Sequence, residues 1–279
     1  MIVRDILKEG SDILKTGEID TAYLDSSILL AKCLGISKEK LYASFPDDAT
    51  QGQYEEFQQL ISKRLDGFPV AYLTGQKEFF GLPFLVDEGV LCPRPDTELL
   101  VEKVLSLTEN DSNIKNILDL CTGTGCIAIS VKVNNRNLNI TASDISPDSE
   151  RIFSLNNYSL AENSITFTKS SLFENIKGTF DIIVSNPPYL TTVETDQRMN
   201  DGWKEPELAL DGGHDGLDLI RRIINNAPAY LNDKGYLLIE AHSSQMENMK
   251  NSMVKNGFKN IIILKDLPGL DRVICGNKG

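Results

Sequence analysis

Apolar residues in the first 68 positions recur at spacings of three and four: Ile2, Ile6, Leu7, Ile13 and Leu14, then Leu24, Ile28, Leu29 and Leu30, then Tyr54, Phe57, Leu60, Ile61 and Leu65. That period belongs to helices that bury one stripe. It predicts a small helical bundle, punctuated by Gly10, Gly17, Gly35 and Gly67. The pattern then changes. EFFGLPFLVDEGVLCPRP (Glu78 to Pro95) is aromatic and apolar without a helical period, and predicts a β-hairpin and connector turning near Gly81-Leu82-Pro83. Asp96 or Thr97 is expected to cap a helix running through Leu107.

From Asn116 onward, short β-branched runs alternate with helical stretches. The runs NILDL, NITASD, ITFTKS, FDIIVSN and GYLLIEA predict strands, with helices after Gly125, Pro147, Asp215 and Ser243. Such alternation implies a mainly parallel, twisted sheet covered on both faces. NIIILKDL and DRVICG, separated only by turn residues, predict a closing antiparallel hairpin. Residues 190 to 214 read as a long loop whose glycines suit a mobile lid, with Trp203 and Leu208 to Leu210 giving it something to pack. The expected organisation is a helical substrate-recognition domain (residues 1–75), a β-hairpin linker (76–96) and an α/β domain (97–279).

Two motifs carry chemistry. In LDLCTGTGCIAIS (Leu118 to Ser130), a strand enters a turn at Cys121-Thr122-Gly123-Thr124-Gly125 and leaves as a helix. The glycines permit a tight turn and close approach of backbone to a ligand. Asp144 ends the next strand nineteen positions after Gly125, near the spacing at which a carboxylate meets ribose hydroxyls in nucleotide-binding βαβ units. Leu172 is expected to pack against adenine, with Ser171 as a polar neighbour.

The second motif is Asn186-Pro187-Pro188-Tyr189, directly after the buried run Ile182 to Val184. It falls where open α/β sheets bind their ligands. The prolines lack N–H groups, so the turn presents carbonyl oxygens. The Asn186 side-chain oxygen and the Pro187 carbonyl are suited to accept the two hydrogens of a planar NH2 group, with the Tyr189 ring over its flat face. A nitrogen held in that way directs its lone pair at an electrophile. A nucleoside site next to an NH2 receptor points to S-adenosylmethionine as donor and S-adenosylhomocysteine as product.

Composition narrows the classes. No run of 18 apolar residues exists, and the N-terminus lacks the organisation of a signal peptide, so a cytoplasmic protein without a membrane partner is expected. Five cysteines (Cys33, Cys92, Cys121, Cys126 and Cys275) contain no C-x-x-C pair, and the two histidines, His214 and His242, are too few for a histidine metal site; neither disulfides nor a metal is expected. The net charge of −12, from 28 basic and 40 acidic side chains, argues against direct nucleic-acid binding and for a basic protein partner. Three rival readings are an adenine N6-methyltransferase acting on DNA or RNA, a non-catalytic binding module, and a dinucleotide oxidoreductase.

Nearly the whole chain resembles the PrmC/HemK family, which methylates N5 of the glutamine in the Gly-Gly-Gln motif of class I peptide chain release factors. The resemblance rests on PVAYLTGQKEFFGLPFLVDEGVLCPRPDTELLV (Pro69 to Val101), LDLCTGTGCIAIS, SDISPDSE, NPPY, EPELALDGGHDGL (Glu205 to Leu217) and LPGLDRV. It implies a helical N-terminal domain on a seven-stranded, Rossmann-like class I methyltransferase sheet; separately, a monomer is expected. It also implies donor contacts at Cys121 to Gly125, Asp144, Leu172 and Asn186, with the glutamine held by Asn186, Pro187, Pro188 and Tyr189. The family often has glycine where this chain has Cys121, and an aromatic where it has Leu172. Cys121 is expected to be tolerated through a negative φ.

Overall fold

The computed structural model describes residues 1–279, which divide into two compact units: residues 1–76 with 200–204, and residues 77–199 with 205–279. The first unit is helical. It contains α1 (Val3–Thr16), α2 (Ala22–Leu34), α3 (Lys38–Leu41), α4 (Gln51–Leu65) and α5 (Val70–Thr74) around a core that includes Ile6, Leu14, Leu29, Leu30, Phe57 and Ile61. Gly35 ends α2 in the left-handed region at φ +66°, as its place in the sequence suggests. Gly10 has another role. It lies inside α1, where a Cβ would stand 2.4 Å from the Phe57 ring, so it lets α1 and α4 approach rather than ending a helix.

The second unit opens with the hairpin β1 (Gln76–Phe79) and β2 (Leu82–Leu85). Its turn is Phe80-Gly81, both at positive φ, with Leu82 and Pro83 already in the second strand. A short 3-10 turn (Pro95–Thr97) leads into α6 (Glu98–Asn110); β3 (Asn116–Leu120), α7 (Cys126–Asn134), β4 (Asn139–Asp144), α8 (Pro147–Ala161), β5 (Thr166–Lys169) and β6 (Phe180–Ser185) follow. Then come α9 (Thr192–Asn200), α10 (Asp218–Tyr230), β7 (Leu231–Glu240), α11 (Met246–Lys255), β8 (Phe258–Lys265) and β9 (Asp271–Lys278).

Seven strands form one sheet in the order β5-β4-β3-β6-β7-β9-β8, parallel from β5 to β7, with β9 antiparallel to both its neighbours. The two faces carry separate cores. Ile117, Ile182 and Val184 pack with α6, α7 and α8, whereas Leu118, Leu120 and Ile183 pack with α10 and α11. This alternation is the period of two expected of strands buried on both faces. The strand order turns back on itself between β3 and β6, which are parallel neighbours, and ligands of open α/β sheets bind at the carboxyl ends of strands beside such a switch point. Cys121, Asp144, Asn186 and Ala241 all follow or end strands at that edge.

Candidate functional site

The alternation along β3 turns Asp119 toward α7. It is fully buried, and its Oδ2 accepts the Thr122 hydroxyl at 2.6 Å and the Ala128 N–H at 3.2 Å. Burial pushes this carboxyl up to about 7, against those hydrogen bonds. Asp119 thereby ties strand, turn and helix together. The sequence reading passed over it, although a carboxylate inside an apolar strand just before a glycine turn was a usable signal.

The turn departs from expectation at Cys121. Its φ is +58°, not negative, a left-handed conformation that costs a side-chain-bearing residue roughly 1–2 kcal/mol. The conformation is held because the next N–H, that of Thr122, bonds the Ser143 carbonyl at 3.0 Å across to β4. The two glycines divide their roles. A Cβ on Gly123 would meet nothing within 4 Å, whereas one on Gly125 would stand 2.6 Å from Phe153 and 2.9 Å from Ile129. Gly123 faces open space, and Gly125 serves the packing of α7 on α8.

One cavity is lined by Cys121, Thr122, Gly123, Thr124, Asp144, Leu172, Asn186 and Pro188, and also by Ser171, Arg94, Thr97 and Leu208. Gly125, Pro187 and Tyr189 are not among its walls. Asp144 Oδ2 accepts the Gly123 N–H and Oδ1 accepts the Ser146 N–H, each at 2.9 Å. Burial raises its pKa, and these backbone bonds oppose the rise. The Ile145 N–H and the Ser149 hydroxyl also favour the carboxylate. Leu172 sits at φ +52° and is buried. Ile145, half exposed, is a second apolar wall that the sequence reading did not single out.

Asn186 Nδ2 donates to Thr97 Oγ1 at 3.1 Å. An amide whose nitrogen is committed in this way has its oxygen directed elsewhere, and Asn186 is a wall of the cavity. Thr97 therefore does not cap α6. Neither it nor Asp96 is a side-chain cap, because the Thr97 hydroxyl is engaged at the site. Pro187 is buried. Tyr189 packs against the core on the α10 and α11 side, and its backbone carbonyl accepts Gln245 Nε2 at 2.9 Å. Burial pushes its phenol up to about 12. Glu240, which ends β7, is 1% exposed and lies behind Asn186 and Thr97. It carries no motif and escaped the sequence reading.

Residues 190 to 214 are not a bare loop. They contain α9 and a 3-10 turn (Glu207–Ala209), and Leu190 and Asp211 form a bridge. Glu205, fully buried, accepts the Cys92 N–H at 2.9 Å and pairs with Arg94 of the cavity wall. That pair fastens the segment at Glu205.

Residues 5–75 match the family model described as PrmC N-terminal domain, and residues 84–202 match the Methyltransferase small domain model. The chain is 38% identical to the release factor glutamine methyltransferase of Leptospira interrogans, with 96% of each chain covered. It is 37% identical to that of Clostridium botulinum, with 100% of each covered. The chain belongs to the release factor glutamine methyltransferase family. Among solved structures, a methyltransferase from Pyrococcus furiosus shares the fold at TM-score 0.53 and 18% identity, covering 73% of this chain and 92% of that one. The catalytic domain of human Mettl16 does so at TM-score 0.59 and 14% identity, covering 75% and 80%.

Proposed function

We propose that this protein transfers a methyl group from S-adenosylmethionine to the side-chain amide nitrogen of the glutamine in the Gly-Gly-Gln motif of class I release factors, leaving S-adenosylhomocysteine. The observation that carries the reading is the Asn186 carboxamide: its nitrogen is tied back to Thr97 and the residue stands in the wall of a cavity built at the sheet's switch point.

The residues present fit the donor. Asp144, steadied by two backbone N–H groups, offers lone pairs to ribose hydroxyls; Leu172 and Ile145 suit the faces of adenine; Gly123 leaves room where a side chain would intrude. Bound S-adenosylmethionine supplies an electrophilic sulfonium methyl. Asn186 Oδ1 accepts one hydrogen of the substrate carboxamide and the Pro187 carbonyl accepts the other. Acceptors on both hydrogens localise the nitrogen lone pair and stabilise the positive charge that develops as the new bond forms. An asparagine is no base, so the surplus proton leaves the nitrogen for water after transfer.

The partner is a protein, not nucleic acid or membrane, and the enzyme works as a cytosolic monomer. The net charge of −12 supports a basic protein partner, and no helix is long and apolar enough to cross a membrane. The test is incubation with methyl-labelled donor and a release factor, followed by peptide mapping. Label on the Gly-Gly-Gln glutamine is expected, and Asn186→Ala should lose about 10²- to 10³-fold in turnover while still binding donor. Label confined to added nucleic acid, or an Asn186→Ala enzyme as fast as wild type, overturns the reading.

A further inference from the structure

We propose that Glu240 is a positioning residue for the methyl transfer: facing both Thr97 and the Asn186 NH2 group, it holds and polarises the Asn186 carboxamide so that its oxygen meets the substrate as a strengthened acceptor. This rests on the function proposed above and extends it to a residue outside the cavity wall.

The sheet register makes the neighbourhood. Ser185 of β6 pairs with Ile239 of β7, so Asn186 and Glu240 are the next residues along on adjacent parallel strands. Leu237, Leu238, Ile239 and Ala241 are all fully buried and apolar. A carboxylate among them has no packing reason, and Oε2 of Glu240 has no hydrogen-bond partner. Thr97, 1% exposed, links the two side chains. Its oxygen accepts from Asn186 Nδ2 at 3.1 Å, which leaves its single proton for another acceptor, and hydrogen bonds from Thr97 and Asn186 favour the Glu240 carboxylate. Glu240 lines no part of the cavity. It cannot touch the substrate nitrogen and acts on it only through Asn186.

Charge on Glu240 pushes electron density toward the Asn186 oxygen, both directly through the amide NH2 and by way of Thr97, and linked hydrogen bonds in a buried site strengthen one another. The groups around it come from four elements. Arg272 of β9 and Asp96 ahead of α6 act on it directly, and Tyr189 after β6 and Cys126 of α7 feel its charge. Arg272 is already committed to Asp266 at 3.0 Å and Asp96 at 3.2 Å. Burial outweighs the hydrogen bonds and places the Glu240 carboxyl at about 7, so the polarising charge comes and goes near neutrality.

The experiment reads Asn186 itself. In protein labelled with ¹⁵N-asparagine, the Asn186 side-chain NH2 signals are assigned by their loss in Asn186→Ala, then followed from about pH 6 to about pH 8. Wild type should show a titration with its midpoint near 7, absent in Glu240→Gln. In parallel, Glu240→Gln should lower kcat on a release factor about ten- to a hundredfold, leave donor affinity unchanged and abolish the acid limb of the kcat profile. Should Glu240→Gln fail to fold, Thr97→Ser and Thr97→Val replace it: the serine variant should keep the full titration amplitude and the valine variant only the part carried by the direct contact. An Asn186 signal indifferent to pH, or one that titrates alike in wild type and Glu240→Gln, overturns the proposal. A wild type that does not methylate release factors overturns the substrate reading, and the amide titration then still decides the role of Glu240.

Discussion

Gly123 and Gly125 are two residues apart in one turn, share a positive φ, and answer to different masters. Alanine at either position takes on the left-handed cost of roughly 1–2 kcal/mol. At Gly125 the new methyl also meets Phe153 and Ile129 below 3 Å, which adds about 1–3 kcal/mol of overpacking. Gly125→Ala should therefore be the less stable variant in chemical denaturation. Gly123→Ala should lose more donor affinity in a titration, because its methyl points into the cavity. A reversed ranking would remove the division of roles. The glycines were legible as a turn motif from their spacing alone. Which one serves packing and which one faces the open cavity was not legible, because that depends on Phe153, supplied by another helix.

At the scale of elements, β6 and the Asn-Pro-Pro-Tyr turn show how much local pattern conveys. A β-branched run cannot be anything but buried strand here, and prolines end it by withdrawing N–H donors. The helix α9 shows the reverse. Its sequence TVETDQRMN has no apolar stripe, so periodicity is silent. Yet Thr191 and Glu194 form a reciprocal cap, with the Glu194 N–H on Thr191 Oγ1 at 3.2 Å and the Thr191 N–H on Glu194 Oε2 at 2.9 Å. The Thr-x-x-Glu spacing was readable and went unread. Glu194→Ala should cost about 1 kcal/mol of local stability, seen as faster amide exchange confined to residues 191–200. Unaltered exchange there would mean that α9 is held by its neighbours alone. Thr97 failed as a predicted cap for a related reason: a hydroxyl before a helix can cap it only if nothing across the sheet claims it, and Asn186 does.

For the whole molecule, the buried acids set a pH dependence. Asp119 and Glu240 both have pKa values raised to about 7 by burial. A carboxyl raised on folding binds its proton more tightly in the native state, so its contribution is fully present below the ordinary carboxylate range and is lost as pH rises through about 7. Asp181, Asp215 and Glu194 have lowered values and act in the opposite sense, at more acid pH. Denaturant midpoints should therefore fall between about pH 5 and about pH 7.5, and flatten in Asp119→Asn and Glu240→Gln. A midpoint that rises over that interval contradicts the buried environment of both groups.

The order of elements, the two-faced burial of the central strands and the two turns that line the cavity follow from local chemistry: side-chain period, proline and glycine constraints, and short spacings along one strand-turn-helix unit. The sequence by itself therefore determined the class of fold and the residues Asp144 and Asn186. The tertiary structure alone decided the positive φ of Cys121, the anchoring of residues 190–214 by Glu205, and the meeting of Asn186, Thr97 and Glu240. Those three residues are separated by 89 and 54 or more positions and meet only because β6 and β7 are parallel neighbours beside the entry to α6. Contacts between strands leave no periodic trace within either one, and that is why no reading along the chain brings them together.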